Sequence, residues 1–184
     1  RVEQEGLSDK VTVLFEDYRH LHGKFDKLVS VEMIEAVGHQ YYETYFNKCS
    51  QLLKPSGMML LQAITIVDQK YESAKKSVDF IKRYIFPGSC IPSVTAIQQA
   101  ITKSSDLRLY NLQDIGPHYA TTLNHWRKSI FDNLEEVKKL GYSDEFLKMW
   151  EFYLCYCEGG FIERVISDVH MLLVKPDNRC THLL

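Results

Sequence analysis

The sequence predicts an α/β fold in which helices pack on a largely parallel sheet. It reads as the carboxyl-terminal part of a larger doubly wound domain. Three observations lead there. Residues 11–15, 25–33 and 58–66 are apolar, β-branched runs, and an amphipathic stretch at 40–53 separates the last two. Strands that alternate with a helix form parallel sheets. Acidic residues crowd the ends of the first two runs, Glu16 and Asp17 after one, Glu32 and Glu35 at the end of the other. In an open α/β sheet the carboxyl ends of strands are where ligands bind. Finally, only one clear strand–helix–strand unit is present, and no glycine-rich loop occurs anywhere in the 184 residues. Residues 1–10 suit the end of a helix and a loop better than the start of a domain.

Each element has its own signal. Val11-Thr12-Val13-Leu14-Phe15 has the composition of a strand. In 40–53, Tyr42, Tyr45, Phe46, Cys49 and Leu52 share one helical face, and Lys54-Pro55-Ser56-Gly57 ends it. Residues 58–66 are continuously apolar, as in a strand buried on both faces. Residues 71–84 are amphipathic and basic, with Lys75, Lys76, Lys82 and Arg83, and run into the turn Phe86-Pro87-Gly88. Pro92-Ser93 opens a helix at 94–102. A short strand at 107–114, helices at 122–139 and 143–161, and a last strand at 165–174 complete the pattern, with Gly141 between the two helices. One domain spans 1–175, and 176–184 reads as a flexible tail.

Composition narrows the function. A net charge of −2 excludes the strongly basic balance usual in nucleic-acid binders. No apolar run reaches the roughly 18–20 residues that span a bilayer. The first residues, Arg1-Val2-Glu3-Gln4-Glu5, do not form a signal peptide. Membrane contact is therefore expected to be peripheral. The five cysteines form no CxxC pair, as in reduced thiols of a cytosolic protein. His20 and His22 lack an obvious third ligand, so no metal site is expected.

Several residues are candidates for chemistry. Glu32 and Glu35 either act on a ligand, as base or anchor, or favour the start of a helix through its dipole. Asp17 either accepts a hydrogen bond from a ligand or is a solvated strand end. Gln62, inside an apolar strand, belongs to a buried network or to a pocket, because a buried amide needs partners. Tyr119, with Trp126 nearby, donates into a cleft or fills the core. Cys157 is a nucleophile only if a base lies near it, and otherwise a buried thiol.

The ordered set Asp17-Tyr18-Arg19, Ser30-Val31-Glu32-Met33-Ile34-Glu35-Ala36-Val37-Gly38, Leu53-Lys54-Pro55-Ser56-Gly57, Tyr84-Ile85-Phe86-Pro87-Gly88 with Pro92-Ser93, His118-Tyr119 with Trp126, and Tyr153 with Cys157 resembles the carboxyl-terminal half of cyclopropane-fatty-acyl-phospholipid synthases. The resemblance implies a partial, Rossmann-like class I methyltransferase sheet without its amino-terminal strands and glycine-rich loop. It implies transfer of a methylene or methyl group from S-adenosylmethionine to a cis double bond of phospholipid acyl chains. A carbocation would form and be deprotonated by bound bicarbonate. By the same resemblance Glu35 holds bicarbonate, and Ile64 and Tyr119 line its pocket. Gln62 stands where many bacterial members carry histidine, a trait of the plant-type subgroup. Cys157 matches a cysteine considered a catalytic candidate in the family, and it reads here as structural. Asp17, Tyr18 and the loop Leu21, His22, Gly23, Lys24, Phe25 and Asp26 match the region that closes over the adenine. The family implies a cytoplasmic protein at a membrane surface, with a homodimer possible. The missing glycine-rich loop implies that this chain alone binds the cofactor weakly and is inactive.

Overall fold

The computed structural model describes residues 1–179. Four strands form one sheet in the order β1-β2-β4-β3: β1 Phe25–Val31, β2 Leu53–Ile66, β3 Arg108–Asp114 and β4 Ile166–Val174. The helices are α1 Ile34–Val37, α2 Tyr42–Leu52, α3 Asp68–Lys76, α4 Val94–Ser104, α5 Gly116–Asp132, α6 Leu134–Lys139 and α7 Asp144–Ile162. Among the described residues no helix is long and apolar enough to cross a membrane.

The expected parallel arrangement holds for β1 and β2 only. β4 lies between β2 and β3 and is antiparallel to both. Chain geometry requires this. α5 carries the chain away from the end of β3, and α7 returns it to the same end, where Ile115 N–H donates to Asp168 O at 2.8 Å. A strand entered from the end where the previous one finished runs the other way.

Alternation along β2 and β4 creates two unlike faces. Leu61, Ala63, Val169, Met171 and Leu173 point to one side and pack with Tyr45 and Phe46 of α2 and Ile97 and Ile101 of α4. That is the main core. On the other side Gln62, Ile64, Asp168 and His170 face a smaller cluster, built by Tyr119 and Leu123 of α5 with Leu154 and Phe161 of α7. A polar row therefore lies between the sheet and two helices.

Several boundaries differ from expectation. Residues 11–15 form no strand and are exposed, Phe15 fully so. No described strand lies beside them to accept their backbone hydrogen bonds, and composition alone cannot hold an isolated strand together. β2 begins five residues early, at Leu53. Its pairing jumps from Phe25↔Leu53 to Lys27↔Met58, so residues 54–57 bulge from the ladder. Gly57 fits there because a Cβ would press on the Lys54 and Asp26 carbonyls at 3.0 and 3.2 Å. The basic stretch divides into α3 and a single π turn, Ile81–Ile85. The 122–139 helix starts earlier, at Gly116, and breaks at Asn133. Ser93 and Ser143 do cap α4 and α7, accepting from Ala96 N and Phe146 N. Residues 176–179 remain tied to the bulge, Asp177 N–H to Pro55 O and Asn178 Nδ2 to Ser56 O. The rest of the expected tail, with Cys180, lies outside the described residues.

Candidate active site

β1 stops at Val31, opposite Gln62, while β2 continues for four more residues. Beyond that point no strand among the described residues satisfies the β1 side of β2. Glu35 does so instead: its Oε1 accepts from Ile64 N–H at 2.6 Å. The chain reaches this position through Glu32, whose φ of 48° is left-handed, and then enters α1. A non-glycine residue held there marks a locally strained turn. Glu32 N–H still donates to Gln62 O at 3.0 Å, so the turn stays fastened to the sheet.

Gln62 organises the centre. Its Nε2 donates to Glu32 Oε1 at 3.0 Å and to Asp168 Oδ2 at 2.8 Å. Its Oε1 lies 3.2 Å from His170 Nε2. Tyr119 donates its hydroxyl to the other Glu32 oxygen at 3.2 Å. Three carboxyl groups thus share one half-buried space. Two of their oxygens, Glu35 Oε2 and Asp168 Oδ1, are buried without a protein partner among the described residues.

Burial dominates the electrostatics. It pushes the Glu35 carboxyl up to about 7, and the Glu32 and Asp168 charges add to the effect. Burial, then the Glu32 charge, pushes Asp168 up to about 6. Burial also raises Tyr119, so it stays a phenol and a donor. Aromatic rings border the group on the Glu32 side: Tyr119, which donates to Glu32, stacks on Phe161 at 4.8 Å and meets Trp126 edge-on at 6.2 Å. Tyr153 lies against Trp150 at 4.9 Å.

The family model for mycolic acid cyclopropane synthetase matches residues 1–171. The chain belongs to the mycolic acid cyclopropane synthetase family. Its members are S-adenosylmethionine-dependent methyltransferases. This family member is 38% identical to the tuberculostearic acid methyltransferase of Mycobacterium tuberculosis, over 95% of the chain and 41% of that relative. It is 39% identical to the cyclopropane-fatty-acyl-phospholipid synthase of Escherichia coli K12, over 89% of the chain and 40% of that relative. The synthetase-family chain therefore spans about two fifths of these relatives. A mycolic acid cyclopropane synthase solved with SAH and CTAB superposes with a TM-score of 0.81 at 26% identity, covering 95% of this chain and 65% of that one. The sheet is thus part of a class I methyltransferase fold.

In this family member, Glu35, Gln62, Ile64 and Tyr119 come together from β2, α1 and α5. Cys157 packs in the same smaller cluster as Ile64 and Tyr119, and burial pushes its thiol up to about 12, so it stays protonated. The residues assigned to the adenine do not join the carboxyl group. Asp17 caps the 3-10 turn Tyr18–His20 and pairs with Arg19 at 2.6 Å, which holds its carboxyl well below the usual range. Tyr18 packs on Tyr45 at 5.7 Å. Leu21 is half-buried, and His22 and Gly23 are exposed. Lys24 Nζ donates to Gln51 O at 2.6 Å, Phe25 opens β1, and Asp26 pairs with Lys54 at 2.8 Å. Leu21 to Asp26 lead into the amino end of β1, whereas Glu32 and Glu35 follow its carboxyl end, about 20 Å along the strand. Strand direction separates Leu21 to Asp26 from the carboxyl groups, whereas Tyr18 packs on Tyr45, whose hydroxyl donates to Ser30 Oγ at 2.6 Å near the carboxyl end of β1. Asp168 and His170 were missed by sequence reasoning. Their signal was a charged and a titratable residue alternating within the otherwise apolar Ile166–Val174 strand.

Proposed function

We propose that the chain supplies the acceptor half of a lipid-modifying methyltransferase site, acting on the cis double bond of phospholipid acyl chains. The observation that carries this reading is the Glu35 carboxyl, tied to Ile64 N–H, left with one buried, unpartnered oxygen, and set beside Glu32, which Tyr119 holds from the aromatic cluster.

The residues fit both groups the reading requires. Three neighbouring carboxyl groups favour the cationic sulfonium of S-adenosylmethionine. The unpartnered Glu35 Oε2 suits a small species that brings its own O–H, as bicarbonate does. When bound, S-adenosylmethionine supplies an electrophilic methyl group. Glu35 accepts the bicarbonate O–H and so aims the base at the acyl chain. Both N–H donors of Gln62 are taken by Glu32 and Asp168, so it acts by holding Glu32. Tyr119, Phe161 and Tyr153 exclude water and turn ring faces toward positive charge developing on the acyl chain.

Fatty acids from cells that express the native gene test the reading. Phospholipid acyl chains gain one CH₂, and Glu35→Gln abolishes the gain. Unchanged acyl chains with the wild-type gene would refute it. A ring-free, methylene-branched product that keeps one double bond would instead select methyl transfer without ring closure, which similarity to a tuberculostearic acid methyltransferase supports as a second reading.

A further inference from the structure

Aromatic residues of the π turn and α7 meet in a patch that the fold leaves facing solvent. Phe80 is its centre, with its ring 4.7 Å from Phe152, 5.6 Å from Tyr84 and 6.2 Å from Tyr156. Tyr84 is 56% and Phe152 53% exposed, and Val78 and Phe86 on the same segment are also open to water. Contiguous exposed apolar surface of this kind marks a contact site.

Charge says what the contact is. Residues 70–86 hold five basic and two acidic side chains. Lys82 folds back to donate to Ala74 O and, at 3.0 Å, to Ser77 O, which caps the last carbonyls of α3 and fastens the π turn to the helix end. The end of α3, which carries Lys76, is thereby held against the π turn, where Arg83 lies 5.4 Å from the Tyr84 ring, and Lys70 lies six residues earlier on the same helix. Among the described residues no ion pair engages Lys70, Lys76 or Arg83, whereas Lys75 is paired with Glu72. Exposed rings bordered by unpaired cations are the composition of a membrane-interface surface. Aromatic rings settle at headgroup level, and long basic chains reach the phosphates. The patch also continues inward: Phe86 lies 6.1 Å from Tyr153, which belongs to the same cluster as Tyr119.

We propose that this face seats the protein on an anionic phospholipid bilayer. Lys70, Lys76 and Arg83 meet the phosphates, and Tyr84 and Phe152 enter the interface. The inference deepens the lipid reading above and rests on it for the purpose of the contact, but the contact itself needs no turnover.

Sedimentation of the chain with phosphatidylcholine vesicles, with and without phosphatidylglycerol, tests it. The wild-type chain is expected to partition onto the anionic vesicles. Binding falls about fivefold for each positive charge removed, and so about a hundredfold or more in Lys70→Glu/Lys76→Glu/Arg83→Glu. Tyr84→Ser/Phe152→Ser weakens binding while leaving its salt dependence intact. Thermal unfolding of each variant verifies that it folds. Equal partition onto both vesicle types, or full binding by either variant, would overturn the proposal. So would self-association that Tyr84→Ser/Phe152→Ser removes, without vesicle binding, which assigns the face to a second copy. The assay uses neither cofactor nor catalysis, so its failure leaves the fatty-acid test standing, and the reverse also holds.

Discussion

At the residue scale, Glu35 gives the sharpest test. Its carboxyl titrates near 7 in the fold against 4.5 in an ordinary setting. The folded state thus binds this proton more tightly than the unfolded state does. The stabilisation is complete below about 4.5 and is lost as pH rises through 7. Glu35→Gln removes the charge but keeps an acceptor for Ile64 N–H. Relative to wild type, the variant should gain stability between pH 5 and pH 8, by up to ~3 kcal/mol. Urea unfolding at both pH values checks this, and an identical difference at the two would refute the buried-carboxyl account. Asp168→Asn should behave similarly but more weakly, since its shift is smaller.

At the element scale, two junctions carry predictions. Gly116 opens α5 directly against the start of β4, where an added Cβ would collide with Ser167 Oγ and press on Asp114 Oδ1 at 3.1 Å. Gly116→Ala should destabilise the protein by ~1–3 kcal/mol in urea unfolding, the usual penalty of overpacking. A neutral result would mean that α5 can shift freely on the sheet. β1 is the second junction. Among the described residues it pairs only with β2, and Val29 on it is 65% exposed. An apolar strand with an open edge templates association. Val29→Lys should reduce self-association in light scattering and change stability by no more than ~0.5 kcal/mol. Equal association in both proteins would remove the edge from suspicion.

At the scale of the whole molecule, the carboxyl group and the adenine-assigned loop lie on different sides of the sheet's length, and no glycine-rich loop occurs in the sequence. Such loops bring backbone N–H groups to a cofactor, and acids alone do not replace them. Isothermal titration of the chain with S-adenosylmethionine should therefore show no micromolar binding. A clear micromolar isotherm would mean that the carboxyl cluster and its surroundings suffice.

The elements of this protein are mostly legible in its sequence because they depend on local chemistry. Period, capping serines and the apolar run of β2 mark α2, α4, α7 and β2 to within a few residues, apart from the early start of β2. The family motif marks Glu35, Gln62, Ile64 and Tyr119. Tertiary structure decided the rest. Residues 11–15 have strand composition but no neighbouring strand, and a strand exists only through its partners. The antiparallel insertion of β4 follows from the return path of α5 and α7, which no local pattern encodes. Asp168 and His170 entered the site for the same reason: register places them opposite Ile64 and Gln62 across the sheet, more than a hundred residues away. Their burial, and with it the raised carboxyl groups, is a property of that pairing and of the helices packed over it.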